Sequence, residues 1–210
     1  FAIGEDKLCL SISSGTETSC VVIDGSGSIS EAIDFGAEGH SGIYGADRDN
    51  NFVFIANENG KNVVKTIDSA SLQLLPDTIT VDEALFFNTI IKGSGEYRVY
   101  LSSSTYLYGL KDDGTMVEII NWIDSDLSGD YIVKLIPVDN GDFLITEQDW
   151  SNDTSSIYRL TKRDASEFES VQIIEMAAEI ANPNILEMVN DFNKNHDEYR
   201  IKVTDYSEYY

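Results

Sequence analysis

Short apolar runs, each bounded by Gly, Asp or Asn, recur along most of the chain. Leu8-Cys9-Leu10-Ser11-Ile12 follows Glu5-Asp6-Lys7, and Phe52-Val53-Phe54-Ile55 follows Asp49-Asn50-Asn51. Tyr97-Arg98-Val99-Tyr100-Leu101 follows Ser94-Gly95-Glu96, and Phe143-Leu144-Ile145 follows Asn140-Gly141-Asp142. The starts at 8, 52, 97 and 143 lie 44, 45 and 46 residues apart. A second run follows each, over 21–23, 63–67, 106–110 and 157–160, and a polar insert at 151–156 lengthens the last interval. Asp24-Gly25-Ser26-Gly27, Asp68-Ser69-Ala70-Ser71 and Asp112-Asp113-Gly114-Thr115 then supply turns. A third run follows in the first three units (29–33, 72–75, 116–120), and a leading run precedes the last three (42–45, 85–91, 131–138). Four strands per period of about 45 residues is the spacing of propeller blades. A β-sandwich also accommodates regular short strands. The near-constant offset favours blades, about four of them, the first lacking most of its leading strand.

The periodicity changes after residue 160, where a polar stretch at 161–167 marks a boundary between a repeat region, 1–165, and a closing segment, 166–210. The closing segment predicts strand, helix, strand. Asn182 is placed to cap the helix, with Pro183 at its first position, where a missing N–H costs nothing. Ile185, Met188, Val189 and Phe192 form an i, i+3, i+4, i+7 stripe expected to lie on a sheet. Residues 199–203 form the second strand. A strand, crossover helix and strand make one βαβ unit, which pairs in parallel and normally opens a larger sheet.

Charge adds a constraint. With 14 Lys and Arg against 37 Asp and Glu, the net charge is −23. Such a surface repels nucleic acid and anionic lipid and favours solubility. The chain opens on Phe1-Ala2-Ile3, the tail of a strand, so a start inside a longer protein is expected. A partial propeller would expose apolar blade faces, which gives an expectation of self-association through them. Cys9 and Cys20 lie about equally far from a turn near Ser14-Gly15 and are expected to face each other across a hairpin. A disulfide closing that loop would contribute roughly 3 kcal/mol in the chain-entropy model. Two buried thiols among Leu8, Leu10, Val21 and Val22 are the favoured alternative.

The candidate chemistry is sparse. Asp124-x-Asp126-x-Ser128-Gly129-Asp130 has the opening spacing of a calcium loop, but Leu135 stands where a closing Glu is needed, so an acidic inter-strand turn is expected. No metal site and no cofactor are assigned. His40 and His196 lie in separate regions, no G-x-S-x-G occurs, and the abundant acids single out no glycosidase pair. No catalytic residue is assigned, and the chain is not expected to be an enzyme. Trp122 and Trp150 could stack on sugar rings, but burial within blades is the favoured reading.

Val189, Phe192-Asn193-Lys194, Tyr199-Arg200-Ile201, Val203 and Asp205-Tyr206-Ser207 resemble the first βαβ unit of extracellular solute-binding proteins, the receptors of ABC importers in clostridia-type Gram-positive bacteria. Residues 121–127 and 160–162 extend that resemblance, and some of those receptors carry a propeller-like region ahead of the binding domain. The resemblance implies a mainly β chain: a partial β-propeller followed by one βαβ unit opening a periplasmic-binding-protein-like α/β domain. It also implies that most of the binding domain would lie beyond this sequence. A small-molecule solute, sugar or oligosaccharide first and peptide second, and an ABC permease would be the partners. An extracellular, lipid-anchored lipoprotein is the implied location. Ala178, Glu179, Asn182, Asp205 and Tyr206 would face the cleft, since ligands bind at the carboxyl ends of parallel strands. The alternatives are a non-catalytic propeller interaction module at the cell surface and, behind it, a propeller enzyme acting on glycans.

Overall fold

Alternation of apolar and polar residues makes strands here, and Asp, Asn and Gly end them. The computed structural model describes residues 2–14, 17–35, 39–81, 87–138, 141–149, 153–164, 170–178 and 183–206. The chain is mainly β, with a propeller-like arrangement of four successive sheets. The first sheet pairs β1 (Ala2–Ile3), β2 (Lys7–Ser14), β3 (Glu17–Ile23) and β4 (Ile33–Asp34) in sequence order. The second does the same with β5 (Gly39–Ala46), β6 (Phe52–Glu58), β7 (Lys61–Ile67) and β8 (Ile79–Thr80). The third contains β9 (Thr89–Lys92), β10 (Tyr97–Ser102), β11 (Tyr106–Lys111) and β12 (Met116–Asn121). Among the described residues the fourth has three strands, β13 (Ile132–Pro137), β14 (Phe143–Asp149) and β15 (Thr154–Leu160). Two 3₁₀ turns, Ile123–Ser125 and Gly129–Tyr131, join β12 to β13, where the acidic stretch predicted a turn.

The chain closes with β16 (Gln172–Ala178), α1 (Pro183–Asn195) and β17 (Tyr199–Asp205). β16 and β17 pair in parallel from Gln172↔Tyr199 to Ala178↔Asp205. Two compact units result. One comprises residues 1–103 and 108–118, the other 104–107 and 119–210, so the fourth sheet shares its unit with the strand–helix–strand segment.

Turn chemistry explains the hairpins. Between β6 and β7, Asn59 (φ 52°) and Gly60 (φ 79°) form a two-residue turn with both residues left-handed, which sets Glu58 opposite Lys61. The Asp24 carboxylate accepts the N–H groups of Ser26 (2.9 Å) and Ser28 (3.0 Å), Asp68 accepts that of Ser71 (2.7 Å), and Asp113 that of Thr115 (2.9 Å). The Ser26 and Ser71 hydroxyls, with these N–H groups, hold the Asp24 and Asp68 carboxyls below the usual carboxylate range; the Thr115 N–H does the same for Asp113 and a hydrogen bond from Lys111 for Glu96. A depressed folded-state value contributes stability above the unfolded-state value and loses it as pH falls through the folded one. With about 0.5 M salt present to screen the −23 charge, the melting temperature should therefore hold level from pH 7 to about pH 5 and fall below about pH 4. Alanine at Asp24, Asp68 and Asp113 should flatten that fall.

The first unit holds two apolar layers. Ile3, Cys9, Cys20, Val22 and Phe35 meet Phe52, Phe54, Ala56, Val63 and Ile67 between the first and second sheets. Val53, Ile55 and Val64 meet Ile90, Val99, Leu101 and Leu110 between the second and third. The inner strands approach closely: a Cβ on Gly45 would sit 2.6 Å from Cγ2 of Ile90, so only glycine fits.

Several expectations change. The outer strands of the first two sheets are shorter and later than 29–33 and 72–75. They shrink to isolated bridges, Ile23↔Ile29 and Ile67↔Leu74, followed by the two-residue β4 and β8. The cysteines are not directly opposite. Ser14 pairs with Glu17, which puts Cys9 across from Val22 and Cys20 across from Ser11. They are diagonal neighbours, both buried and not joined by a disulfide. A hydrogen bond between the thiols holds Cys9 below the ordinary thiol range and pushes Cys20 above it. The helix stripe is also rotated. Leu186, Val189, Asn190 and Asn193 are buried, whereas Met188 is 72% exposed.

Candidate functional site

The predicted site is the carboxyl end of the parallel pair. β-propensity and an apolar pattern in 172–178 and 199–205 make two strands, and the helix between them forces parallel pairing. Ala178 and Asp205 are paired at the last rung, and the Tyr206 N–H donates to the Ala178 carbonyl at 2.9 Å. The structure thus brings three of the five predicted residues together. The Ala178 side chain packs with Leu186, Val189, Val203 and Ile123, while Tyr206 is exposed. Glu179 and Asn182 lie outside the described residues, as does Trp150.

Two residues that the periodicity did not single out hold this end of the chain in shape. Asn193 spans the backbone of β17: its Nδ2 donates to the Ile201 carbonyl (3.0 Å) and its Oδ1 accepts the Ile201 N–H (2.7 Å). Ile201 faces its β16 partner by register, yet these two backbone groups are the ones β16 does not use. One amide therefore satisfies both at the outer edge of β17. The available signal was Asn193 itself, a polar residue continuing the Leu186–Val189 stripe. Asn193→Ala leaves two backbone groups to find other partners and is expected to cost about 1–3 kcal/mol. Amide exchange at Ile201 should accelerate before that of other β17 residues; unchanged exchange there would count against the clamp.

Arg200 is the second. Its guanidinium makes a bidentate pair with Asp126 (3.0 and 2.8 Å) and also donates to the Asp124 carbonyl. Asp126 sits at φ 58°, the left-handed end of the first 3₁₀ turn. The Ser104 hydroxyl donates to Asp130 at 2.6 Å. Two members of the calcium-like spacing are thus committed to protein partners. Trp122 is fully buried, as favoured for a blade aromatic. His196 is exposed, stacked on Phe192 at 4.1 Å, with Nδ1 2.8 Å from the Phe192 carbonyl.

In the first unit, an open groove of about 360 Å³ runs along Ser30, Glu31, Ile33, Leu72 and Gln73. It coincides with none of the predicted site residues. In comparison with known proteins, the chain matches no family model, and no curated protein is significantly similar to it.

Proposed function

We propose that the chain belongs to an extracellular solute-binding component of an ABC importer, with carbohydrate or oligosaccharide as the solute class. In this reading β16, α1 and β17 open an α/β binding domain, and the partners are a small solute and a membrane permease. The protein is lipid-anchored outside the cell, and its role is capture rather than turnover. The observation that supports it best is the parallel pairing of β16 and β17 on either side of α1. Ligands of open α/β sheets bind beyond the carboxyl ends of such strands, where Ala178, Asp205 and Tyr206 converge. The resemblance of residues 189–207 to the first unit of these receptors points the same way.

The test is calorimetric titration of the product of the complete coding sequence against oligosaccharide and peptide panels. Saturable binding of one class, weakened at least tenfold by Tyr206→Ala, is expected. A coding sequence that stops directly after Tyr210, or one whose product turns over a glycan, would sink the reading.

A further inference from the structure

The groove in the first unit lies against the cysteine pair. Three of its lining side chains, Ile33, Leu72 and Leu74, are partly buried and pack on the apolar layer that holds Cys9 and Cys20. Ile33 is also the residue opposite Cys20. It belongs to β4, a strand of two residues joined to β3 by the rungs Ser19↔Asp34 and Cys20↔Ile33. So short an edge strand sits at the low-stability end of a sheet, where local opening is cheap. The thiols are 2% and 0% exposed, yet Ile33 borders the groove on one side and their layer on the other.

The two thiols are poised toward each other. They are diagonal on one face of β2 and β3 and share a hydrogen bond. That bond holds Cys9 below the ordinary thiol range, which makes Cys9 the better nucleophile. Cys20 is pushed up first by its hydrogen bond to Cys9, then by burial and by the Cys9 charge. Two of those three causes vanish once Cys9 carries a mixed disulfide, so Cys20 is then able to attack. Diagonal neighbours stand farther apart than facing ones, near the long end of what a disulfide spans. Closing the bond therefore draws β2 and β3 together, and a bond made under such strain is readily reduced again.

We propose that Cys9 and Cys20 form a reversible thiol–disulfide site, oxidised by an uncharged low-molecular-weight disulfide that enters through this groove. Glu31 in the groove and the net charge of −23 disfavour an anionic reagent. The Cys9 thiolate attacks one sulfur of the reagent, whose S–S bond breaks, and the other half leaves and takes up a proton. Cys20 then attacks the Cys9 sulfur and releases the second half as a thiol. Two protein thiols thereby lose two electrons and two protons, and the reagent becomes two thiols. This site is independent of any solute bound at the ends of β16 and β17.

Incubation of the native chain with hydroxyethyl disulfide, followed by mass spectrometry, tests this. The chain should slowly lose about 2 Da, the two thiol hydrogens, without keeping an adduct, and excess mercaptoethanol should restore it. Cys20→Ala should keep one reagent half on Cys9, and Cys9→Ala should react about tenfold more slowly than Cys20→Ala. Ala32→Trp adds bulk at an exposed groove position, so it should slow closure about threefold at an unchanged urea midpoint. At low salt the anionic dithiodiglycolate should also close the pair more slowly than the uncharged reagent. A wild-type chain that keeps both thiols overturns the proposal. So do cysteine variants that react alike. A closure rate that Ala32→Trp leaves unchanged overturns it too, because oxidation would then follow global unfolding rather than the groove. Equal rates with the two reagents would do the same. The wild-type, Ala32→Trp and reagent comparisons need neither cysteine variant to fold.

Discussion

Asp47→Ala should lower stability by about 3–5 kcal/mol, the loss expected when one partner of a buried ion pair is removed. The Asp47 residue is 1% exposed and its carboxylate carries three kinds of partner. Oδ1 accepts the N–H groups of Asp49 (2.9 Å) and Asn51 (2.8 Å), Oδ2 accepts the Asn51 amide (3.0 Å), and the Arg98 Nε stands 3.6 Å away. Arg98 in turn donates to the Thr66 hydroxyl, so the carboxylate sits in a network drawn from the β5–β6 loop, β7 and β10. The loop it shapes also joins the sheets. With Asn50 at φ 63°, the Asn50 carbonyl accepts the Gly4 N–H at 2.9 Å, and the Arg48 N–H reaches the Arg98 carbonyl at 2.9 Å. Alanine removes the acceptor, strands two N–H groups and leaves the Arg98 charge without its closest buried partner. At a typical urea slope, the midpoint should drop by about 2 M. Asp47→Asn keeps one acceptor oxygen and should lose roughly half as much. Hydrogen exchange should quicken first at the Asp49 and Asn51 amides. A midpoint unmoved by Asp47→Ala would mean that the loop does not tie these sheets together.

That network was not legible from the chain, although the strands around it were. The apolar pattern says nothing of residues 47–49, because the pairing of Asp47 with Arg98, 51 residues on, leaves no local periodic trace. The repeat itself was legible, since strand alternation has period two and its phase survives any tertiary context. The same property separates Leu8 from Cys9, which the sequence reading groups together: Cys9 is buried and Leu8 is exposed. Short outer strands were read too early and too long. A two-residue strand such as Ile79–Thr80 has no periodicity to detect, and the apolar 72–75 run resembled a strand although it makes only one bridge. In the helix, a 3.6-residue period supports two overlapping stripes. Of the predicted Ile185–Met188–Val189–Phe192 stripe, Val189 is buried and Ile185 packs beside it, but Met188 turns out while Leu186 and Asn193 turn in, Asn193 making two hydrogen bonds with the backbone of Ile201. Arg200 and Asp126 are 74 residues apart, and only folding shows that they pair. The closing strand–helix–strand segment fared better, because parallel pairing fixes which strand ends lie side by side once strand, helix and strand are recognised.

Phe35→Ala should cost about 3–5 kcal/mol and lower the melting temperature by about 10 °C. Phe35 follows the two-residue β4, beyond the stretch where the apolar pattern predicted a strand, and is 1% exposed. Its ring stacks on Phe54 at 4.1 Å and lies 5.9 Å from Phe52 and 6.3 Å from Tyr44. It thereby plugs the layer between the first and second sheets, beside Ile3, Cys9, Cys20 and Val22. Truncation removes a ring's worth of transfer free energy and also leaves a void, which facing strands tied by their own hydrogen bonds cannot collapse to fill. Phe35→Leu restores most of the volume but not the stacked faces, so it should recover roughly half the loss. The two thiols report on the same layer. In the wild-type chain Cys9 and Cys20 should react slowly with an aromatic disulfide reagent, and Phe35→Ala should speed both together. If Ile29→Ala, at a residue 67% exposed on the rim, destabilised the chain as much as Phe35→Ala, the layer would not be where the first two sheets derive their cohesion. Retained slow thiol reactivity in Phe35→Ala would count against the layer in the same way, because a void at that ring opens directly onto the cysteine pair.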